Sequence, residues 1–191
     1  MAASGADSEE QGTRQRILNT AARLFVERGY AGTSVRDIAA ELGIANPSLY
    51  YHFKSKSEVL VELLKEPLEY VQAAVSEAEQ LSGDARARRI IGGLLEALEV
   101  HSGVAVTALR DAGSLPNAQR QLAHAMRPHI AELLAASTAE DNRDLRVTMA
   151  ISAVEGVVVE LMLTSPDAAT FVEALRERRE TVIDLTLELL R

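Results

Sequence analysis

One stretch constrains this chain more than any other: residues 33–56, which read TSVRDIAAELGIANPSLYYHFKSK. Thr33 and Ser34 carry hydroxyls that accept hydrogen bonds from the first unpaired N–H groups of a helix, so a short helix starts there. Val35, Ile38, Ala39 and Leu42 recur at helical spacing and give it one apolar face, leaving Arg36, Asp37 and Glu41 to water. Gly43 stops it, because glycine takes the left-handed conformation that ends helices without steric cost. The pair Asn46-Pro47 then restarts a helix, asparagine being a favoured N-cap and proline a favoured first helical residue. Helix, glycine turn, helix is the sequence form of a helix-turn-helix.

The residues on the second helix suit contact with DNA. Ser48, Tyr50, Tyr51 and His52 fall within a turn and a half, Lys54 and Lys56 follow, and Leu49 and Phe53 are spaced to face inward. Hydroxyls, amides, aromatic rings and cations are the groups that bond base edges and phosphates and pack on thymine methyls. The helix N-terminus adds a partial positive charge that favours phosphate. An ordinary helical hairpin with a polar rim would also satisfy the spacing.

Gly29-Tyr30, Thr33-Ser34, Arg36-Asp37-Ile38-Ala39, Gly43-Ile44, Ser48-Leu49-Tyr50-Tyr51-His52-Phe53 and Lys56, in this order and spacing, closely resemble the N-terminal domain of the TetR family of transcriptional repressors. The resemblance covers roughly residues 14–60; beyond it the family shares an all-helical plan and little sequence. The pair Asn46-Pro47 departs from the small residue or glycine of many members, which bears on the bases read rather than on the fold. The resemblance implies that Thr33, Ser34, Tyr50 and Lys56 hold phosphates while Arg36, Asn46, Ser48, Tyr51 and His52 approach bases. Pro47 and Lys54 belong to the same DNA-binding surface.

Charge divides along the same line. The net charge of −8 argues against DNA binding for the chain as a whole, yet residues 12–57 hold seven Lys and Arg against three Asp and Glu, and residues 58–191 hold 13 against 22. The basic charge is concentrated where a phosphate backbone would lie. At 191 residues, with 47% hydrophobic and 4% aromatic side chains, the chain suits an all-α fold. We expect a disordered tail at 1–11, a three-helix helix-turn-helix DNA-binding domain at 12–57, and a helical ligand-binding and dimerisation domain at 58–191. The start shows no signal-peptide pattern, and the absence of cysteine excludes thiolate chemistry and suits a reducing cytoplasm.

In the C-terminal part, Pro67 is expected to kink or break the helix that leaves the reading head. In proteins of the resembled family, that helix couples ligand binding to the head. Gly92-Gly93, inside a helical pattern, implies close packing of another helix or room for a ligand. Helices are expected at 85–103, 104–112, 117–137 with a kink at Pro128, 145–163 and 168–190. By resemblance the middle of this region holds an apolar pocket, for which His101, Thr107, Arg110, His124, Met126 and His129 are the ligand-binding candidates. No metal or other cofactor is expected, since His124 and His129 are five apart and point to different faces of a straight helix.

Residues 145–163 are apolar nearly all round, but Arg146, Glu155 and Glu160 argue against a membrane span. With the final helix they suit a four-helix interface between two copies, through Val154, Val157, Val158, Leu161, Leu175, Val182 and Leu185. A homodimer would set two reading helices one turn of DNA apart on a palindromic operator. The reading is thus a homodimeric repressor released by an unknown small-molecule effector, not an enzyme: neither nucleophile elbow, dinucleotide loop nor metal-ligand cluster occurs. The alternatives are an enzyme built around His124, His129 or Glu155, and a helical interaction module whose head does not bind DNA.

Overall fold

A computed structural model describes residues 3–101, 126–138 and 141–191, and among these every regular element is a helix. The N-terminal unit is built from α1 (Ala3–Arg28), α2 (Val35–Leu42), α3 (Asn46–His52) and α4 (Lys56–Leu63). Ile17, Leu18, Ala21, Leu24 and Phe25 of α1 form its floor, and Ile38, Leu49, Phe53, Val59 and Leu60 close over them. The turn after α1 begins at Gly29, whose φ of 75° lies in the left-handed region.

α2 is held at both ends by its own sequence. The Asp37 N–H donates to the Ser34 hydroxyl at 3.2 Å, and the Ser34 N–H donates back to the Asp37 carboxylate at 2.7 Å. At the other end Gly43 takes φ 67°; its N–H reaches the Ala40 carbonyl at 3.1 Å and the Ile44 N–H reaches that of Ala39 at 3.0 Å. These paired bonds fix the angle at which the chain enters α3.

The C-terminal unit comprises α5 (Lys65–Glu79), α6 (Gly83–Val100), α7 (Arg127–Ala135), α8 (Arg143–Thr164) and α9 (Ala168–Leu190), numbered over the described residues. Pro67 sits buried in the first turn of α5, and the α4–α5 boundary falls at Leu64, so the helix line is interrupted beside the proline as expected. α5 packs on α6 at Gly93, where a Cβ would collide with that of Ala74. Gly93, and not its neighbour Gly92, therefore serves helix–helix approach. The core joins Ile90, Ile91 and Leu95 of α6 to Ile130 and Leu134 of α7, Val154, Val158 and Met162 of α8, and Phe171, Leu175 and Ile183 of α9.

Several expectations change. The segment expected to be a disordered tail is helical from Ala3, since Ala6, Glu9, Glu10 and Gln11 are strong helix formers that let α1 run back. Asn46 is not the cap of α3: Ala45 occupies that position with extended backbone, and Asn46 and Pro47 both lie inside the first turn. Pro128 likewise falls in the opening turn of α7, where its missing N–H is no loss, rather than at a kink. The helix expected at 104–112 and the start of the one at 117–137 lie outside the described residues.

The dimer set needs the largest correction. Val154, Val158, Leu161, Leu175 and Val182 are at most 8% exposed, buried in the chain's own core, with Val157 packed against it; only Leu185, 57% exposed, faces outward. α8 is long and apolar enough to cross a membrane by length and composition. In the fold one side of it is core, and its Glu155 carboxylate meets the Arg127 guanidinium of α7 at 2.9 Å.

Candidate nucleic-acid interface

α3 presents its polar side outward from an anchored base. Leu49 and Phe53, 0% and 1% exposed, fix the helix to the N-terminal core, while Asn46, Pro47, Ser48, Tyr50 and Tyr51 are exposed, Tyr51 at 66%. His52 is half-buried, its ring 5.3 Å from that of Tyr51 and edge-on to it. The Arg14 guanidinium lies 4.8 Å from the centre of the Phe53 ring and pairs with Glu62 of α4 at 2.9 Å, tying α1, the end of α3 and α4 together. Nothing in the local sequence signals this, because the three residues are far apart in the chain.

Beside α3 lies an open groove of about 530 Å³, walled by residues 31–37, Tyr50 and Lys56. Ser34, Arg36 and Tyr50 are exposed at it. The Asp37 carboxyl in its wall is held below its ordinary pKa, first by the Ser34 hydroxyl and then by the Ser34 N–H. Lys56 has a different task from the one the resemblance implies. Its ammonium donates to the Tyr30 carbonyl at 2.6 Å and the Thr33 carbonyl at 2.7 Å, and stands 4.2 Å from the Tyr30 ring centre. It thus locks the α1–α2 turn onto α4, and only its charge is left to act on a phosphate.

Thr33 is withdrawn from the phosphate-holding set. It is 1% exposed, and its hydroxyl faces the carbonyls of Leu24 and Gly29 at 3.1 and 2.9 Å, so it clamps the end of α1 to the start of α2. Burial also pushes the Tyr30 hydroxyl above its ordinary pKa. Among the other cations, Arg23 is held by Glu27 and Glu41, whereas Arg16 and Arg36 are exposed. The Lys54 backbone N–H donates to Glu58, which holds the end of α3 near the start of α4, and its exposed ammonium is 3.4 Å from the Tyr50 carbonyl.

The candidate ligand residues are not brought together. His101 is half-buried at the end of α6, its ring 6.3 Å from that of Tyr70. Met126 packs at the edge of the C-terminal core, and His129 sits at the surface, bonded to Glu79 of α5 at 3.0 Å. Thr107, Arg110 and His124 lie outside the described residues. Among the described residues there is no grouping of three or more His, Asp or Glu able to hold a metal ion.

Residues 17–63 match the family described as bacterial regulatory proteins, tetR family. The HTH-type transcriptional repressor KstR2 of Rhodococcus jostii is 38% identical over 102 residues, covering 52% of this chain and 50% of that protein. KstR2 of Mycolicibacterium smegmatis is 38% identical over 84 residues, 40% of this chain and 41% of its own. The match thus spans at most half the length of these relatives. Among solved structures, the TetR family transcriptional regulator PfmR of Thermus thermophilus superposes with a TM-score of 0.69 at 29% identity, over 92% of this chain and 99% of that one. The ketosteroid transcriptional regulator KstR2 of Mycobacterium tuberculosis gives 0.61 at 24% identity over 90% and 93%, a likeness of fold.

Proposed function

Because the chain belongs to the tetR family of bacterial regulatory proteins, we propose that it is a cytoplasmic, homodimeric repressor that reads a palindromic operator and is released from it by a small-molecule effector. The observation that carries the DNA-reading part is the exposed face of α3: Asn46, Ser48, Tyr50 and Tyr51 stand outward on a helix whose other side is fully buried. A helix presented in this way can enter a major groove with its polar residues against base edges, while Ser34, Tyr50 and the charge of Lys56 line the adjoining groove as a phosphate would require.

Dimerisation follows from a face that the protomer leaves open. Leu145, Met149, Ser152, Gly156, Val159 and Leu163 are exposed on α8 and recur at alternate steps of four and three, the spacing of a seam between packed helices. A Cβ at Gly156 would meet nothing within 4 Å in the protomer, so the space there is open to a second helix. Exposed Leu185 extends the apolar surface on α9. This stripe replaces the buried valines and leucines as the proposed interface.

Effector release requires that the ligand favour a dimer whose reading helices no longer match the operator spacing. The experiment pairs two variants. Tyr51→Ala should remain dimeric and lose operator affinity at least tenfold; Leu163→Glu should dissociate the dimer and lose affinity through it. Unchanged operator affinity in Tyr51→Ala would remove α3 as the reader, and an intact Leu163→Glu dimer would remove the α8 stripe as the interface.

A further inference from the structure

α6 and α9 run antiparallel and are joined by a ladder of ion pairs: Asp84 with Arg191 at 2.6 Å, Arg88 with Glu180 at 3.0 Å, Glu96 with Arg179, and Glu99 with Arg176. The last rung is unlike the others. Glu96 is well supplied, receiving the Tyr70 hydroxyl at 3.1 Å as well as Arg179, with Arg89 at 3.6 Å. The Glu99 side chain is only 10% exposed, yet its ion-pair partner among the described residues is Arg176 at 3.6 Å, beyond hydrogen-bond distance, and that arginine is itself 68% exposed. The Glu99 Oε1 atom is buried with no hydrogen-bond partner among the described residues. A buried acceptor of this kind is costly and rare, and a carboxylate more so than a neutral oxygen.

The surroundings of Glu99 narrow what would satisfy it. Leu95 and Leu98, which precede it in α6, and Leu175, next to its partner Arg176 in α9, belong to the apolar core. The carboxylate sits in the last turn of an 18-residue helix, where unpaired carbonyls favour positive charge. Just beyond it His101 and Tyr70 set their rings edge to face, with the Glu66 carboxylate 4.0 Å from the His101 Nδ1 atom. The Arg179 Nε on the neighbouring rung is also buried without a partner, but its guanidinium is already paired with Glu96 through another nitrogen, whereas Glu99 Oε1 has no donor among the described residues.

We propose that the effector is an amphiphilic organic cation, whose ammonium N–H donates to Glu99 Oε1 while its apolar body enters the core between α6 and α9. The inference deepens the effector part of the proposed function and rests on it. The ammonium supplies the missing donor with a charge, the helix end adds to its attraction, a neutral alcohol of the same shape offers a hydrogen bond without the charge, and an anionic ligand is repelled.

The test uses the full-length protein and three probes of equal chain length, n-octylammonium, octan-1-ol and octanoate, with binding read by calorimetry and operator affinity read on the same preparation. The expected result is that octylammonium binds at least tenfold more tightly than either other probe and weakens operator binding, and that Glu99→Gln erases the preference. The unliganded Glu99→Gln protein should melt no lower than wild type, since the exchange removes a buried charge whose Oε1 has no donor among the described residues and whose ion pair with Arg176 is long. Equal binding of the three probes to wild type overturns the inference without reference to any variant, as does a preference that survives in Glu99→Gln. Failure of wild type to bind any operator would instead overturn the regulator reading, whatever the probes do.

Discussion

Replacing Thr33 by Val separates two roles that the resemblance and the structure assign to one hydroxyl. The side chains match in shape, but the hydroxyl faces the carbonyls of Leu24 and Gly29 at 3.1 and 2.9 Å in a position 1% exposed to solvent. Its loss removes one net hydrogen bond, about 1 kcal/mol, and leaves a buried carbonyl with less than its full complement, so about 1–2 kcal/mol in all is expected. For a chain of this size that corresponds to a fall in melting temperature of about 3–6 °C. Urea unfolding at fixed protein concentration should show a lower midpoint at unchanged slope, because the loss is in stability and not in the surface exposed. Operator affinity, measured well below both midpoints, should stay within about twofold of wild type, since the hydroxyl is turned away from the groove. A variant as stable as wild type that loses operator affinity tenfold would show that the hydroxyl holds a phosphate, and the clamp reading of Thr33 would be abandoned.

The two neighbouring glycines of α6 should respond to alanine with opposite sign. Gly92→Ala meets only ordinary contacts at 3.8 Å with Arg179 and Ile183 and should stabilise by up to about 1 kcal/mol through helix propensity. Gly93→Ala drives its Cβ into that of Ala74, an atom fixed to the α5 backbone, and should destabilise by about 1–3 kcal/mol; equal thermal shifts for the pair would contradict the packing of α5 on α6. Among the described residues three carboxylates are held below their ordinary range: Asp37 by the Ser34 hydroxyl, Glu62 by Lys65 and then Arg14, and Asp167 by the Thr170 N–H. Groups with depressed native pKa stabilise above their unfolded values, 3.8 for Asp and 4.5 for Glu, and lose that contribution as the pH falls through the native ones. Urea midpoints should therefore fall on acidification below about pH 4.5, and less steeply in Asp37→Asn and Asp167→Asn, whose unaltered slope would count against these bonds.

What the sequence made legible was local. Ser34, Asp37 and Gly43 act on backbone groups within five positions of themselves, so cap, helix and stop could be read directly. Lys56 and Thr33 could not, because their partners lie up to 26 and nine residues back along the chain and are brought near only by the packing of α1 against α2 and α4. Asn46 was misassigned for a subtler reason: proline is tolerated at either of the first two helical positions, so the pair leaves the boundary open by one residue. On α8 apolar residues occupy both sides, and periodicity alone does not say which side faces the chain's own core. Val154, Val158 and Leu161 prove to be inside and Leu145, Met149, Val159 and Leu163 outside. Glu99 carried no signal at all, being one more acid on an amphipathic helix until the structure left its Oε1 atom buried without a donor among the described residues.

The central claim, that the outward face of α3 in a dimer reads DNA, is tested most directly by selecting bound duplexes from random DNA and measuring affinity for the winner across a salt series. The account predicts a two-fold symmetric sequence, at least one dimer bound per site, and affinity that falls steeply with salt as phosphate contacts release counterions. A folded, dimeric, effector-free protein that enriches no sequence, or one whose binding is indifferent to salt, would contradict it.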